Sequence, residues 1–277
     1  MVGWPIEHSR SPLIHNYWIS HHGLDAEYGR HALDPAQAMH WFDHFADHGL
    51  VGANVTVPHK ETAFAACRYL TERARRLGSV NTLWLEDAEL CGDSTDGEGF
   101  MQHLKASAPN WRKHSKSSLA IVLGAGGASR AIVDALMHEG VERVAILNRT
   151  IERAKRLAQD LGVFVTGQSL IAMEISRFDE VAPESGLLIN TSSMGMAGGP
   201  PLNIDLASLA KGATVADIVY SPLDTDLLKA ARGRGHPTVD GLGMLLFQAV
   251  PGFHKWFGVR PTVTKALRDL VVADLEN

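Results

Sequence analysis

Residues 119–131, L-A-I-V-L-G-A-G-G-A-S-R-A, constrain the fold more than any other stretch, because an apolar run turns abruptly into glycines and then into helix-forming sequence. Residues 119–123 read as a short continuous apolar strand, the pattern of a parallel strand covered on both faces. Gly124, Gly126 and Gly127 then remove β-carbons where the backbone must turn tightly and lie against a ligand. Beyond Ser129, apolar residues return at helical spacing. The glycines therefore sit at a helix N-terminus, where free N–H groups and the helix dipole favour a diphosphate.

In the pattern G-x-G-x-x-G the third glycine position is held by Ser129, a small-residue variant that gains weight only from its context. That context is present. The helix is expected to end at Glu139-Gly140, and residues 143–147 supply a second strand, completing the β-α-β unit of a dinucleotide site. An NAD site usually places Asp or Glu about 20 residues beyond the glycines to bind the ribose. Here the sequence is Asn148-Arg149-Thr150, followed by Arg153. Arginines attract a 2′-phosphate, whereas a carboxylate repels one, so NADP is expected over NAD.

A chain of 277 residues accommodates two domains with substantial cores. Its 45% apolar and 21% charged residues belong to a globular protein, and its net charge of −5 gives no electrostatic footprint for nucleic acid. Neither a basic run, a leader pattern nor a span of transmembrane length points to a membrane. Cys67 and Cys91 lack metal-type spacing, which suggests a reducing cytoplasm. His40, His44 and His48 would line one helix face, but as a solvated stripe rather than a ligand set, so no metal is expected.

Along the chain, Ser9 and Ser11 precede a Pro-started helix and read either as caps or as hydroxyls for a polyhydroxylated ligand. A strand is expected over 24–32 and a helix over 35–48. Lys60 then stands at the start of a helix expected over 61–70, a placement that opposes the dipole and that local stability does not explain. A short helix over 74–77 and a strand over 79–85 lead to a turn-rich segment over 90–97, where Asp96 reads as a turn or cap residue. A helix over 100–104 precedes a linker-like polar stretch, 106–118. After the β-α-β unit the pattern gives a helix over 152–161, and strands over 164–165, 186–192, 213–219 and 237–239. Helices follow over 223–232, from residue 240 onward and over 262–275. With no strand after Val239, the last helices are expected to pack on the N-terminal half.

Several separated motifs occur in order: G-W-P-I-E-H-S-R-S-P-L-I-H-N, N-V-T-V-P-H-K, G-S-V-N-T, G-D-S-T-D-G, G-A-G-G-A-S-R-A, N-R-T, N-T-S-S-M-G-M, D-I-V-Y-S-P and G-L-G-M-L-L-F-Q. Through them the chain resembles the shikimate dehydrogenase family over essentially its full length. The resemblance implies an α/β protein of two domains. Residues 1–98 plus 241–277 would form an α/β substrate-binding domain with a mixed sheet completed by C-terminal helices, and 99–240 a Rossmann-type NADP-binding domain. It implies NADPH-dependent, reversible reduction of 3-dehydroshikimate to shikimate in aromatic amino acid biosynthesis, with homodimer and monomer both open.

The resemblance also implies a catalytic pair, Lys60 and Asp96. Substrate contacts would fall on Ser9, Ser11, Thr56, Lys60, Asn81, Asp96, Tyr220 and Gln248. Cofactor contacts would fall on Gly124, Ala125, Gly126, Gly127, Ala128, Asn148, Arg149, Thr150, Arg153, Thr191, Ser192, Met194, Ile218 and Gly241. Ser9 and Arg149 favour shikimate and NADP over the quinate or NAD of some relatives. Two departures stand out: Ser94 occupies a place where relatives commonly carry Asn, and only two residues precede Gly3. The first strand is therefore expected to be shortened, or the true start to lie upstream.

Overall fold

The computed structural model describes residues 1–112 and 119–276, in two compact units. One comprises Met1–Asp96 with Leu246–Asn277; the other is Gly97–Leu245. The linker-like reading of 106–118 lies outside the described residues for 113–118. Residues before them are structured, since Ala108 and Trp111 are buried.

In the first unit, β1 (Val2–Gly3) is two residues long and pairs in parallel with β2 (His31–Ala32), while Val2 also bridges Val55. Between them lies α1 (Ser11–His21). The strand expected over 24–32 is thus confined to its last two residues. The helix expected over 35–48 is broken: α2 (Ala38–Asp43) is flanked by single 3₁₀ turns, Pro35–Gln37 and Phe45–His48. At the break, His44 turns its Nδ1 onto the His40 carbonyl at 2.8 Å, and His48 stacks on Trp41. The three histidines therefore do not share one continuous helix face. Among the described residues no group of three or more His, Cys, Asp or Glu could hold a metal ion.

Next come β3 (Gly52–Asn54), α3 (Lys60–Ala66), β4 (Tyr69–Leu70), α4 (Glu72–Leu77), β5 (Thr82–Glu86) and β6 (Glu89–Asp93). They build a mixed sheet in the order β3-β5-β6-β4, antiparallel except for the β4–β6 pair. Two expectations are corrected. The helix over 61–70 stops at Ala66 because Cys67 turns extended and the chain leaves to pair with β6. The segment over 90–97 is largely strand: the tight Asp87-Ala88 turn, with both residues at positive φ, folds it back on β5.

The second unit begins with α5 (Asp96–Ser107), whose first residue closes the preceding unit. There follow β7 (Leu119–Leu123), α6 (Gly127–His138), β8 (Arg143–Asn148), α7 (Ile151–Gly162), β9 (Ser169–Glu174), α8 (Phe178–Val181), β10 (Ser185–Asn190), β11 (Thr214–Asp217), α9 (Asp226–Gly233) and β12 (Thr238–Val239). The six strands are all parallel, in the order β12-β11-β10-β7-β8-β9. This is the doubly wound arrangement of a dinucleotide-binding sheet, and its strand order reverses between β7 and β10. Every residue of β7 is buried, as its unbroken apolar run requires. The strand expected at 164–165 is instead β9, further on; Phe164 is half exposed on the turn leaving α7.

Helix α10 (Leu242–Phe257) starts in the second unit and ends in the first, and α11 (Lys265–Leu275) packs on α1. The C-terminal helices thus complete the first unit. Trp256 donates to the Leu83 carbonyl at 2.8 Å and covers Gly52, where any β-carbon would strike its indole. Among the described residues no helix is long and apolar enough to cross a membrane.

Candidate active site

Lys60 is the first residue of α3, and its Nζ lies 2.6 Å from Oδ2 of Asp96, the first residue of α5. This carboxylate relieves the unfavourable placement of an ammonium at a helix start. The other oxygen of Asp96, Oδ1, accepts a hydrogen bond from Asn81 Nδ2 at 2.8 Å. Lys60 is partly open to solvent while Asp96 is buried. Their contact is a half-sheltered charge pair with a free ammonium face.

The amide of Asn81 is oriented from behind. Its Oδ1 accepts the Thr95 N–H at 2.8 Å, which leaves Nδ2 to face Asp96 and, at 3.4 Å, Oε1 of Gln248 on α10. Asn54 supports the same strand by donating to the Asn81 carbonyl at 3.2 Å. Asn54 Oδ1 in turn accepts from Tyr28 Oη at 2.7 Å and from His15 Nε2 at 3.1 Å. Because that oxygen cannot donate, the His15 proton is assigned to Nε2. Burial pushes the His15 imidazole down to about 3, with the N-terminal ammonium adding to the effect, so the ring is neutral.

Ser9 and Ser11 take different roles. Ser9 Oγ accepts the Ser11 N–H at 3.3 Å just before α1, whose N-cap position is held by Arg10 with no side-chain cap, while Ser11 is buried as the first residue of the helix. Arg30 holds the Ser9 carbonyl through two N–H groups. Thr56 is half buried, and its backbone N–H reaches the Val2 carbonyl at 2.9 Å. Thus Ser9, Ser11, Thr56, Lys60, Asn81, Asp96 and Gln248 all belong to the first unit, whereas Tyr220 follows β11 in the second. Thr95 and Asn54, which hold Asn81, were not singled out by sequence. Their positions inside G-D-S-T-D-G and N-V-T-V-P-H-K were the available signal.

In the second unit the glycine turn joins β7 to α6. Gly124 has φ +112°, and a β-carbon there would lie 2.9 Å from Thr191 Oγ1 and 3.1 Å from Ser129 Oγ. Those hydroxyls form a directed chain. The Gly126 N–H donates to Ser129 Oγ at 3.1 Å, Ser129 Oγ lies 2.7 Å from Thr191 Oγ1, and Thr191 Oγ1 donates to the Leu123 carbonyl at 2.7 Å. A β-carbon on Gly126 or Gly127 would meet nothing within 4 Å. That open space beside the N-terminus of a twelve-residue helix fits a diphosphate.

The remaining expected cofactor residues cluster at the carboxyl ends of the same strands. Asn148 closes β8 and donates to the Thr150 carbonyl at 2.8 Å; Arg149, Thr150 and Arg153 stand exposed around the first turn of α7. Arg149 and Arg153 flank the acidic Glu152 of this first turn, and the strand end itself carries Asn148 in place of a carboxylate, which fits a phosphate ester. Thr191, Ser192 and Met194 follow β10, and Ile218 follows β11 with its N–H on the Asn190 carbonyl at 3.0 Å. Gly241 is required sterically, because a β-carbon would come within 2.3 Å of the Ile218 carbonyl oxygen. Ala125 lies half buried in the turn, and Ala128 half buried in the first turn of α6.

Known proteins resemble this chain over nearly its whole length. Residues 1–83 match the family model described as shikimate dehydrogenase substrate binding domain, and residues 107–195 the one described as shikimate / quinate 5-dehydrogenase. A protein named shikimate dehydrogenase (NADP(+)) from Azorhizobium caulinodans is 50% identical over 99% of this chain and 95% of its own. The structure of shikimate 5-dehydrogenase from Thermus thermophilus in complex with NADP(H) and shikimate superposes with a TM-score of 0.82, at 30% identity over 97% of each chain. That of quinate dehydrogenase from Corynebacterium glutamicum in complex with NAD gives 0.89, at 28% identity over 98% of this chain and 97% of its own. By its full-length identity to such relatives, the chain belongs to the shikimate dehydrogenase family.

Proposed function

We propose that this chain catalyses the NADP-dependent, reversible reduction of 3-dehydroshikimate to shikimate in aromatic amino acid biosynthesis, with Lys60 and Asp96 acting on the reacting carbonyl. The observation that carries the reading is the Lys60–Asp96 contact at 2.6 Å, backed by Asn81 and Gln248. NADPH, when bound, supplies a hydride to the carbonyl carbon. The ammonium of Lys60 stabilises the negative charge that builds on the oxygen and delivers a proton to it from Nζ. Asp96 holds Nζ in place and accepts hydrogen bonds from substrate hydroxyls, as Asn81 and Gln248 offer further amide contacts. Ser9, Ser11 and Thr56 supply hydroxyls, and Tyr220 a phenol, for the polyhydroxylated ring.

The glycine turn and the first turn of α7 are the seats for the two phosphate-bearing parts of NADP. Arg149 and Arg153 meet the 2′-phosphate, which gives the preference over NAD. Cysteine usage is the ground for proposing the cytoplasm as the compartment.

The test is NADP reduction with shikimate, with quinate and NAD as comparisons, on wild type and Lys60→Ala. Turnover with shikimate and NADP, lost by roughly 10²–10⁴-fold in a folded Lys60→Ala protein, is the expected result. Wild-type turnover by Lys60→Ala would overturn the mechanism, and equal kcat/KM with NAD would overturn the cofactor preference.

A further inference from the structure

Asp217 ends β11, is buried, and has no part in the chemistry above. Its Oδ1 accepts hydrogen bonds from Asn190 Nδ2 at 2.9 Å and from the Val219 N–H at 3.0 Å. Its Oδ2 accepts one from Thr225 Oγ1 at 2.8 Å, the hydroxyl that also caps α9. Asn190, fully buried at the end of β10, passes the constraint onward. Its Oδ1 accepts from the Ser192 N–H at 3.1 Å and the Ser192 hydroxyl at 2.7 Å, and its Nδ2 also donates to the Met194 carbonyl at 3.0 Å. Its own carbonyl takes the Ile218 N–H at 3.0 Å.

One carboxylate thereby fixes the backbones that leave two neighbouring strands. An ionised carboxylate is needed for this, because it is an acceptor on every side. An Asn in its place would turn an NH₂ group toward one of these donors. Burial pushes the Asp217 carboxyl up to about 6, and its three donors oppose that shift, so the charge is kept against a real desolvation cost.

We propose that Asp217 is a positioning residue for the cofactor: through Asn190 it holds the loops carrying Ser192, Met194 and Ile218 in the shape that receives NADP. The inference rests on the reading of those three residues as cofactor contacts. Its signature is a loss that falls chiefly on the cofactor, since none of the substrate residues of the first unit lies in this network and only Tyr220, next to Val219, adjoins it.

The experiment uses the full-length chain with Asp217→Asn, Thr225→Val and Thr225→Ser, reading the dissociation constant of NADPH by fluorescence and the KM for NADP and for shikimate. Asp217→Asn and Thr225→Val are expected to weaken NADPH binding and raise KM for NADP about tenfold, with a clearly smaller rise in KM for shikimate through Tyr220, and Thr225→Ser to keep wild-type values. Unchanged NADPH affinity in the folded variants, or an equal rise in both KM values, overturns the proposal. If Asp217→Asn does not fold, the Thr225→Val and Thr225→Ser pair, which keeps the carboxylate, decides alone. Wild-type turnover is measured alongside: its absence would overturn the proposed function, whereas the NADPH affinities test Asp217 in either event.

Discussion

Asn81 donates from Nδ2 to Asp96 Oδ1 at 2.8 Å while its Oδ1 is held by the Thr95 N–H at the same distance. The amide has only one useful orientation, and it presents a donor to the carboxylate that pairs with Lys60. Asn81→Asp replaces that donor with a second acceptor. Two carboxylates so close cannot both ionise, so one is pushed well above its ordinary value. We expect kcat/KM for shikimate to fall roughly 10–100-fold at neutral pH and to gain a new dependence on the acid side. A pH profile identical in shape to that of wild type would refute this.

The glycines of the turn have separable duties. Gly124→Ala meets both a positive φ and the Thr191 and Ser129 hydroxyls, so it should cost on the order of 1–3 kcal/mol of stability. Gly126→Ala meets neither: its φ is −103° and its surroundings are open. It should fold like wild type, seen in an unchanged melting temperature, yet raise KM for NADP because the methyl stands where the diphosphate must approach.

Arg149 and Arg153 are exposed beside the first turn of α7. Arg149→Asp should therefore lower kcat/KM for NADP roughly 10–100-fold and leave that for NAD unchanged or higher, with little effect on stability. Parallel steady-state assays with both cofactors check this. An equal loss with both would mean that Arg149 does not read the phosphate.

Buried His15 makes the first unit acid-sensitive. Its folded value of about 3 lies below the ordinary 6.5, so it contributes stability that is fully present above about pH 6.5 and lost as pH falls toward 3. The loss should reach a few kcal/mol, on the order of one per pH unit crossed. The ring signals of His15 in the folded protein should show no titration by NMR between pH 7 and 5. A midpoint near 6.5 would contradict the buried, neutral assignment.

Much of the second unit was legible because its signals are local. The β7 run, the glycines, the end of α6 at Gly140 and the β8 strand all follow from apolar period and turn chemistry within one continuous segment. The first unit was harder to read. Residues 69–70 and 89–93 have no strong period of their own and become strands only because they pair with each other and with β5. The break at His44 likewise depends on side-chain bonds to nearby carbonyls that compete with helix continuation. At the site, motif residues such as Lys60 and Asp96 could be named from sequence, but not the contact between them, which spans 36 positions. Asp217 and Asn190 were passed over because a buried polar network leaves no periodic trace.

The hydroxyl chain from Gly126 through Ser129 and Thr191 to Leu123 has a consequence for portability. The glycine fingerprint of this protein is a two-part device whose second part lies just after β10, 62 positions beyond Ser129. A loop graft of residues 119–131 into a foreign sheet would carry the phosphate cradle but strand the Ser129 hydroxyl without its acceptor. Moving the motif between scaffolds therefore requires transplanting Thr191 with it.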